Sequence, residues 1–275
     1  MNEADHMLIR DSMVSTYYKG ESIVDIVTMW LIKKSYRNVC IYNERFYMIY
    51  DVENLNGFFT YNGGFVDVQE FLLKNNECYH EFSIINCVVG INKKYHATVI
   101  IINNLTKTLE YYDPHGSIVN MGEDGDNTMI INLFVEEKVN KLSEDLGLIR
   151  VIPPLYCGTQ TIAGFQNSSV NDIGFCVVHV FLIILFRLKN ENNDISEITT
   201  EMVRFNSIDI NRYMSKLAYI LMTLIYQIAQ YYGITSLDLS KINDQIHETI
   251  SLDELYYLMV NNMEPFPLLR YNGIQ

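Results

Sequence analysis

The sequence predicts an α+β fold: a central mixed β-sheet flanked by helices, with a cysteine at the N-terminus of a buried helix and a helical C-terminal segment. Three observations predict it. Tyr95 to Asn103 and Thr108 to Tyr112 are two runs of β-formers flanking the polar turn Asn104-Leu105-Thr106-Lys107, which reads as a β-hairpin. The apolar run Phe175 to Phe186 starts beside Cys176 and reads as a buried helix. Beyond Asn190 most of the chain has helical spacing, over Ser196–Phe205, Ile208–Tyr232 and Ser251–Asn261, the last opening on a Ser251/Glu254 capping box.

The other elements follow from the same rules. Glu21 to Lys34 places Ile23, Ile26, Val27, Trp30 and Leu31 near helical spacing and predicts an amphipathic helix. Residues 38–52 are rich in β-formers and suggest a hairpin turning at Asn43-Glu44, followed by a loop over 54–64 and a short helix over 66–74. Glu81 to Val89 reads as a strand. Within the main hairpin, Val99 to Ile102 is apolar without alternation, which marks a central strand covered on both faces. Asp113-Pro114 ends the second strand, because proline has no N–H for a ladder. Residues 121–127 are acidic and read as a loop. Ile130 to Leu146 predicts a helix with Leu133, Val135, Val139 and Leu142 on one face, stopped by Gly147. Leu148 to Ile152 predicts a strand. Residues 1–60 are expected to form an N-terminal helix and strand layer against a domain formed by 61–275.

Composition narrows the function. Hydrophobic residues make up 49% of the 275 and charged ones 19%, enough to bury a large core. The net charge of −13 argues against a nucleic-acid partner, which would need a basic stripe. The twelve-residue apolar run Phe175–Phe186 contains His179 and is too short for a membrane span. The five cysteines (40, 78, 87, 157 and 176) are odd in number and form no C-x-x-C pair. That disfavours a disulfide framework and a structural zinc site. The polar, acidic N-terminus is not a secretory signal. The expectation is therefore an intracellular, reducing location, with no cofactor and no metal; oligomeric state is left open.

A thiol at the first turn of a buried helix is the layout of a cysteine nucleophile, because the helix dipole favours the thiolate. A lone cysteine on an apolar helix is more often core, so a base and an orienting group are needed to lift it above that. His96 opens one strand of the hairpin and Asp113 closes the other, seventeen residues on (113 − 96). In an antiparallel pair those positions lie at the same end of the sheet. Alternation puts Leu109, Tyr111 and Asp113 on one face and Glu110 on the other. His115, in the same turn, is the rival base. His80 beside Cys78 has no such placement, and His179, one turn after Cys176, is read as packing.

The series Tyr95-His96-Ala97-Thr98, Glu110-Tyr111-Tyr112-Asp113-Pro114-His115-Gly116, Gly164-Phe165-Gln166 and Gly174-Phe175-Cys176 occurs in this order. It resembles the cysteine proteases that include adenovirus endopeptidase, the SUMO proteases and the core-protein proteases of nucleocytoplasmic large DNA viruses. The likeness is greatest to the viral enzymes and covers about 95–188. It implies Cys176 as nucleophile, His96 as general base and acid, Asp113 as orienting group, and Gln166 as an oxyanion donor beside the backbone N–H of Cys176. Gln160 is the alternative donor. It further implies an endopeptidase cutting after small residues (Gly-Gly or Ala-Gly) in viral precursor proteins, in the host cytoplasm or the virion. A ubiquitin-like-protein deconjugase and an inactive protein that keeps the fold are the alternatives.

Overall fold

Four consecutive apolar β-formers cannot alternate between core and solvent, so a strand containing them must be covered on both sides. Val99 to Ile102 are accordingly all buried, at the middle of the sheet that organises the molecule. The structure is a computed structural model that describes residues 17–18, 21–22, 28–29, 32, 36–42, 46–61, 68, 72, 80–91, 94–114, 125–152 and 176–203. Among them β1 (Tyr17–Tyr18) pairs with β2 (Glu21–Ser22) as a small ladder. A mixed seven-stranded sheet takes β3 (Val39–Ile41), β4 (Phe46–Asp51), β5 (Asn56–Tyr61), β6 (Phe82–Ile91), β7 (Lys94–Asn103), β8 (Thr108–Tyr112) and β9 (Ile149–Val151). Its order is β5-β4-β6-β7-β8-β9, with β3 also on β6. Three helices with full bounds occur among the described residues: α1 (Gly125–Asp145), α2 (Cys176–Lys189) and α3 (Ile195–Val203). None of the described helices is long and apolar enough to cross a membrane.

The β7–β8 hairpin has the expected strands and turn. Asn103 Oδ1 accepts from the backbone N–H groups of Leu105 and Thr106, and Lys107 takes a positive φ of 56°. An asparagine at that position thus supplies the turn's missing acceptor.

Several expectations are corrected. Residues 38–52 do not fold on themselves as a hairpin. β3 and β4 instead run parallel to β6 on successive stretches of it, 82–84 and 87–91. β4 makes its hairpin with β5, within the segment expected to be a loop. The turn closes because both Asp51 carboxylate oxygens accept hydrogen bonds: Oδ1 from the Glu53 and Asn54 backbone N–H groups, Oδ2 from the Asn54 amide. Asparagine and glycine density suggested a loop, yet Gly57 is in β5 for a packing reason. A Cβ there would sit 2.2 Å from the Phe134 ring. Gly57→Ala is therefore expected to destabilise the protein by about 1–3 kcal/mol through overpacking, read as a lower urea midpoint. An unchanged midpoint would mean that ring is free to move.

Glu21 and Ser22 belong to β2 rather than to the start of a helix; helical backbone is described at 28–29 and 32, where Thr28, Met29 and Ile32 are buried. α1 begins five residues earlier than expected. It buries Ile131, Phe134, Val135, Val139 and Leu142, while Leu133 is 59% exposed. Residues 131, 135, 139 and 142 form one stripe at 3.6 periodicity, and 133 lies across the helix from it. Gly147 does stop α1, with φ +64°. Its N–H reaches Glu144 O and the Leu148 N–H reaches Ser143 O, the paired bonds of a Schellman end. α3 opens on a reciprocal capping box: Asp194 Oδ1 accepts from the Glu197 N–H and Glu197 Oε2 from the Asp194 N–H. The Ser251/Glu254 box and the later helices lie outside the described residues.

One face of the sheet packs on α1 through Met48, Ile85, Val89, Ile100, Ile102, Leu109 and Tyr111. α2 packs along β7 with thirteen of its residues buried, and α3 lies against β8. The cysteine spacing missed one feature: Cys40 is disulfide-bonded, to a cysteine outside the described residues. A bridge between residues distant in sequence leaves no local spacing to read. Cys87 and Cys176 are free thiols.

Candidate active site

β7 and β8 bring two of the expected residues together. His96 pairs across the ladder with Val89, and Asp113 follows the last residue of β8. The hairpin register pairs Val99 with Tyr112, so the beginning of β7 lies beside the chain leaving β8. His96 Nε2 and Asp113 Oδ1 are 2.7 Å apart, with side chains 3% and 1% exposed. A bond this short between buried partners has the length of a charge-assisted hydrogen bond.

Cys176 is the first residue of α2 and is buried. Its side chain is one of the groups that act on the His96 imidazole and raise it. With Nε2 engaged by Asp113, Nδ1 is the nitrogen left for the thiol. Burial is the largest influence on His96 and works against its charged form. The charge and hydrogen bond of Asp113, then the hydrogen bond and charge of Cys176, outweigh it and raise the imidazole to about 10. The arrangement therefore favours the charged imidazolium form of His96 at neutral pH.

Cys87 is the internal contrast. It too is buried and free, but its Sγ reaches only backbone groups, the Ile85 carbonyl oxygen at 3.7 Å among them, and burial pushes its thiol far up against the smaller pull of the Ile100 backbone. Such a thiol is inert. Cys176 differs in having a cation beside it and a helix N-terminus behind it.

Of the remaining candidates, His179 is buried one turn along α2 and His80 is exposed at the entry to β6. Gln166, its alternative Gln160, the rival base His115 and the thiol Cys157 lie outside the described residues. No group of three or more His, Cys, Asp or Glu side chains that could hold a metal ion occurs among the described residues.

Sequence reasoning missed one feature near the site. Glu110, noted only as facing away from Asp113, forms a buried ion pair with Arg187 of α2. The signal was present: each is a charge inside an otherwise apolar stretch, and such charges are rarely buried alone.

No protein-family model matches the chain, and no curated protein does. Among solved structures, the chain is similar to the SUMO protease Ulp1 with its catalytic cysteine oxidised to a sulfenic acid, at 15% identity and a TM-score of 0.34. It is likewise similar to the same protease oxidised to a sulfinic acid, at 15% identity and a TM-score of 0.33, each match covering 79% of this chain and 94% of the other.

Proposed function

We propose that this protein is a thiol endopeptidase in which Cys176 is the nucleophile, His96 the general base and acid, and Asp113 the group that holds the imidazole. The observation that carries the reading is a single buried imidazole 2.7 Å from Asp113 Oδ1 whose charged form the Cys176 side chain also favours. Nucleophile, base and orienting group in one chain of hydrogen bonds is the arrangement that covalent acyl transfer requires.

The chemistry follows from these positions. The Cys176 thiolate attacks the scissile carbonyl carbon, and the carbonyl π electrons move onto oxygen. That oxyanion forms at the N-terminus of α2, where the Cys176 backbone N–H donates; Gln166 is proposed as the second donor. His96, already protonated, gives its proton to the departing amine, leaving a thioester on Cys176. It then takes a proton from water, which hydrolyses the thioester and restores the ion pair.

The substrate class rests on the motif resemblance: a protein chain cleaved after small residues of the Gly-Gly or Ala-Gly type. Viral precursor proteins, in the host cytoplasm or the particle, are the proposed substrates, with removal of ubiquitin-like modifiers as the alternative. Labelling by a Gly-Gly or Ala-Gly peptide carrying a thiol-reactive warhead tests the chemistry. Wild type and Cys157→Ala are expected to label, while Cys176→Ala and His96→Ala are not. If Cys176 reacts no faster than an ordinary thiol, the protein is a non-catalytic member of this architecture. A parallel probe built on a whole ubiquitin-like modifier separates the two substrates. Labelling by it alone favours the deconjugase.

A further inference from the structure

The N-terminal end of α2 must be held against His96 to within a fraction of an ångström for proton transfer. Yet from Val177 to Phe186 the helix is Val, Phe, Leu and Ile apart from the buried His179. Apolar packing is non-directional, so it sets how far a helix lies from a sheet better than how it is rotated or slid. A directional contact with the sheet is made at the opposite end. Arg187 follows Cys176 by eleven residues (187 − 176), close to three helical turns, so both lie on one side of α2. Its guanidinium grips Glu110 of β8 through Nε to Oε2 at 2.9 Å and Nη2 to Oε1 at 2.9 Å. Nη1 donates to the Glu191 carbonyl oxygen at 3.0 Å, and the guanidinium stacks 4.7 Å from the Phe82 ring centroid. Glu110 Oε2 also accepts the Ile195 N–H at the start of α3, 3.2 Å away. Glu110 is wholly buried and Arg187 nearly so.

β8 therefore carries both fixed points for α2. Glu110 holds its last turn, and Asp113, just past the strand, holds the imidazole on which its first residue, Cys176, acts. We infer that the Glu110–Arg187 pair is a positioning element for the proposed reaction, setting the rotation and axial register of α2 that place Cys176 against His96. The inference rests on the proposed role of Cys176. A planar fork on a carboxylate suits this task, because two parallel hydrogen bonds specify orientation as well as distance.

The test compares wild type with Glu110→Leu/Arg187→Met, which replaces the pair by apolar groups of similar volume, and with Arg187→Lys, which keeps the charge but loses the fork. Peptide hydrolysis and the titration of His96 by NMR are both followed. If the pair positions α2, the double variant melts near wild type but loses kcat by on the order of 100-fold with KM unchanged, the cost of about 1 Å of misplacement. The His96 midpoint also falls, because the Cys176 contribution to it is weakened. Arg187→Lys shows the same changes in smaller degree. Either variant folding with wild-type kcat and an unmoved His96 midpoint overturns the inference. Wild type that hydrolyses nothing overturns the proposed activity instead. The NMR titration still decides the positioning role in that case, since it needs no substrate.

Discussion

Replacing His96 by alanine is expected to lower kcat by on the order of a million-fold, because members of such a unit are each needed for the whole effect. The wild-type pH profile carries a more specific signature. In the proposed mechanism His96 acts in its protonated form, so activity should persist well above neutrality and fall as pH rises through about 10, where the imidazolium is lost. The charge and hydrogen bond of Asp113 both raise that value. Asp113→Asn should therefore move the alkaline limb downward as well as reducing kcat. The sign is the same for stability. With the folded value above the ordinary 6.5, the contribution is fully present below about 6.5 and is lost as pH rises through about 10. Measuring kcat/KM for a small-residue peptide between pH 5 and 11 checks the profile. An alkaline limb that stays in place in Asp113→Asn would break the link between the two residues.

The second large effect concerns stability. Arg187→Met alone leaves Glu110 buried with its main partner gone, and breaking a buried pair in this way costs about 3–5 kcal/mol. Burial already pushes the Glu110 carboxyl up, against the opposing pull of the Arg187 hydrogen bonds and charge. Without the guanidinium the side chain has to take up a proton or admit water. Urea unfolding at neutral pH should give a midpoint well below wild type. Adding Glu110→Leu should recover most of the loss, because the orphaned charge is then removed. A single variant as stable as wild type would show that solvent reaches Glu110 despite its burial.

How much of this was legible in the sequence depended on whether the determinant was local. The β7–β8 hairpin, its turn and the placement of His96 near Asp113 follow from alternation and turn chemistry within some twenty residues, and they match the structure. The helical run of α2 was equally readable from the abrupt change to apolar residues. The path of 38–61 was not. Whether β4 pairs with β3 or β5 depends on β6, more than thirty residues later, and Gly57 resembles a loop glycine until the Phe134 ring arrives from α1. The Glu110–Arg187 contact joins residues 77 apart in sequence. Two isolated charges hint at a partner without saying which.

The spacing of the three reactive side chains also orders events in time. His96 and Asp113 lie in one hairpin and can meet once that hairpin closes, at the small entropic cost of a short loop. Cys176 comes sixty-three residues later (176 − 113). Synthesis runs from the N-terminus, so a nascent chain holds the proposed base and orienting group before the sulfur proposed as their nucleophile has been made. On the proposed mechanism a chain arrested before α2 lacks its nucleophile, and the thiol meets its base only when its helix docks on a sheet already built.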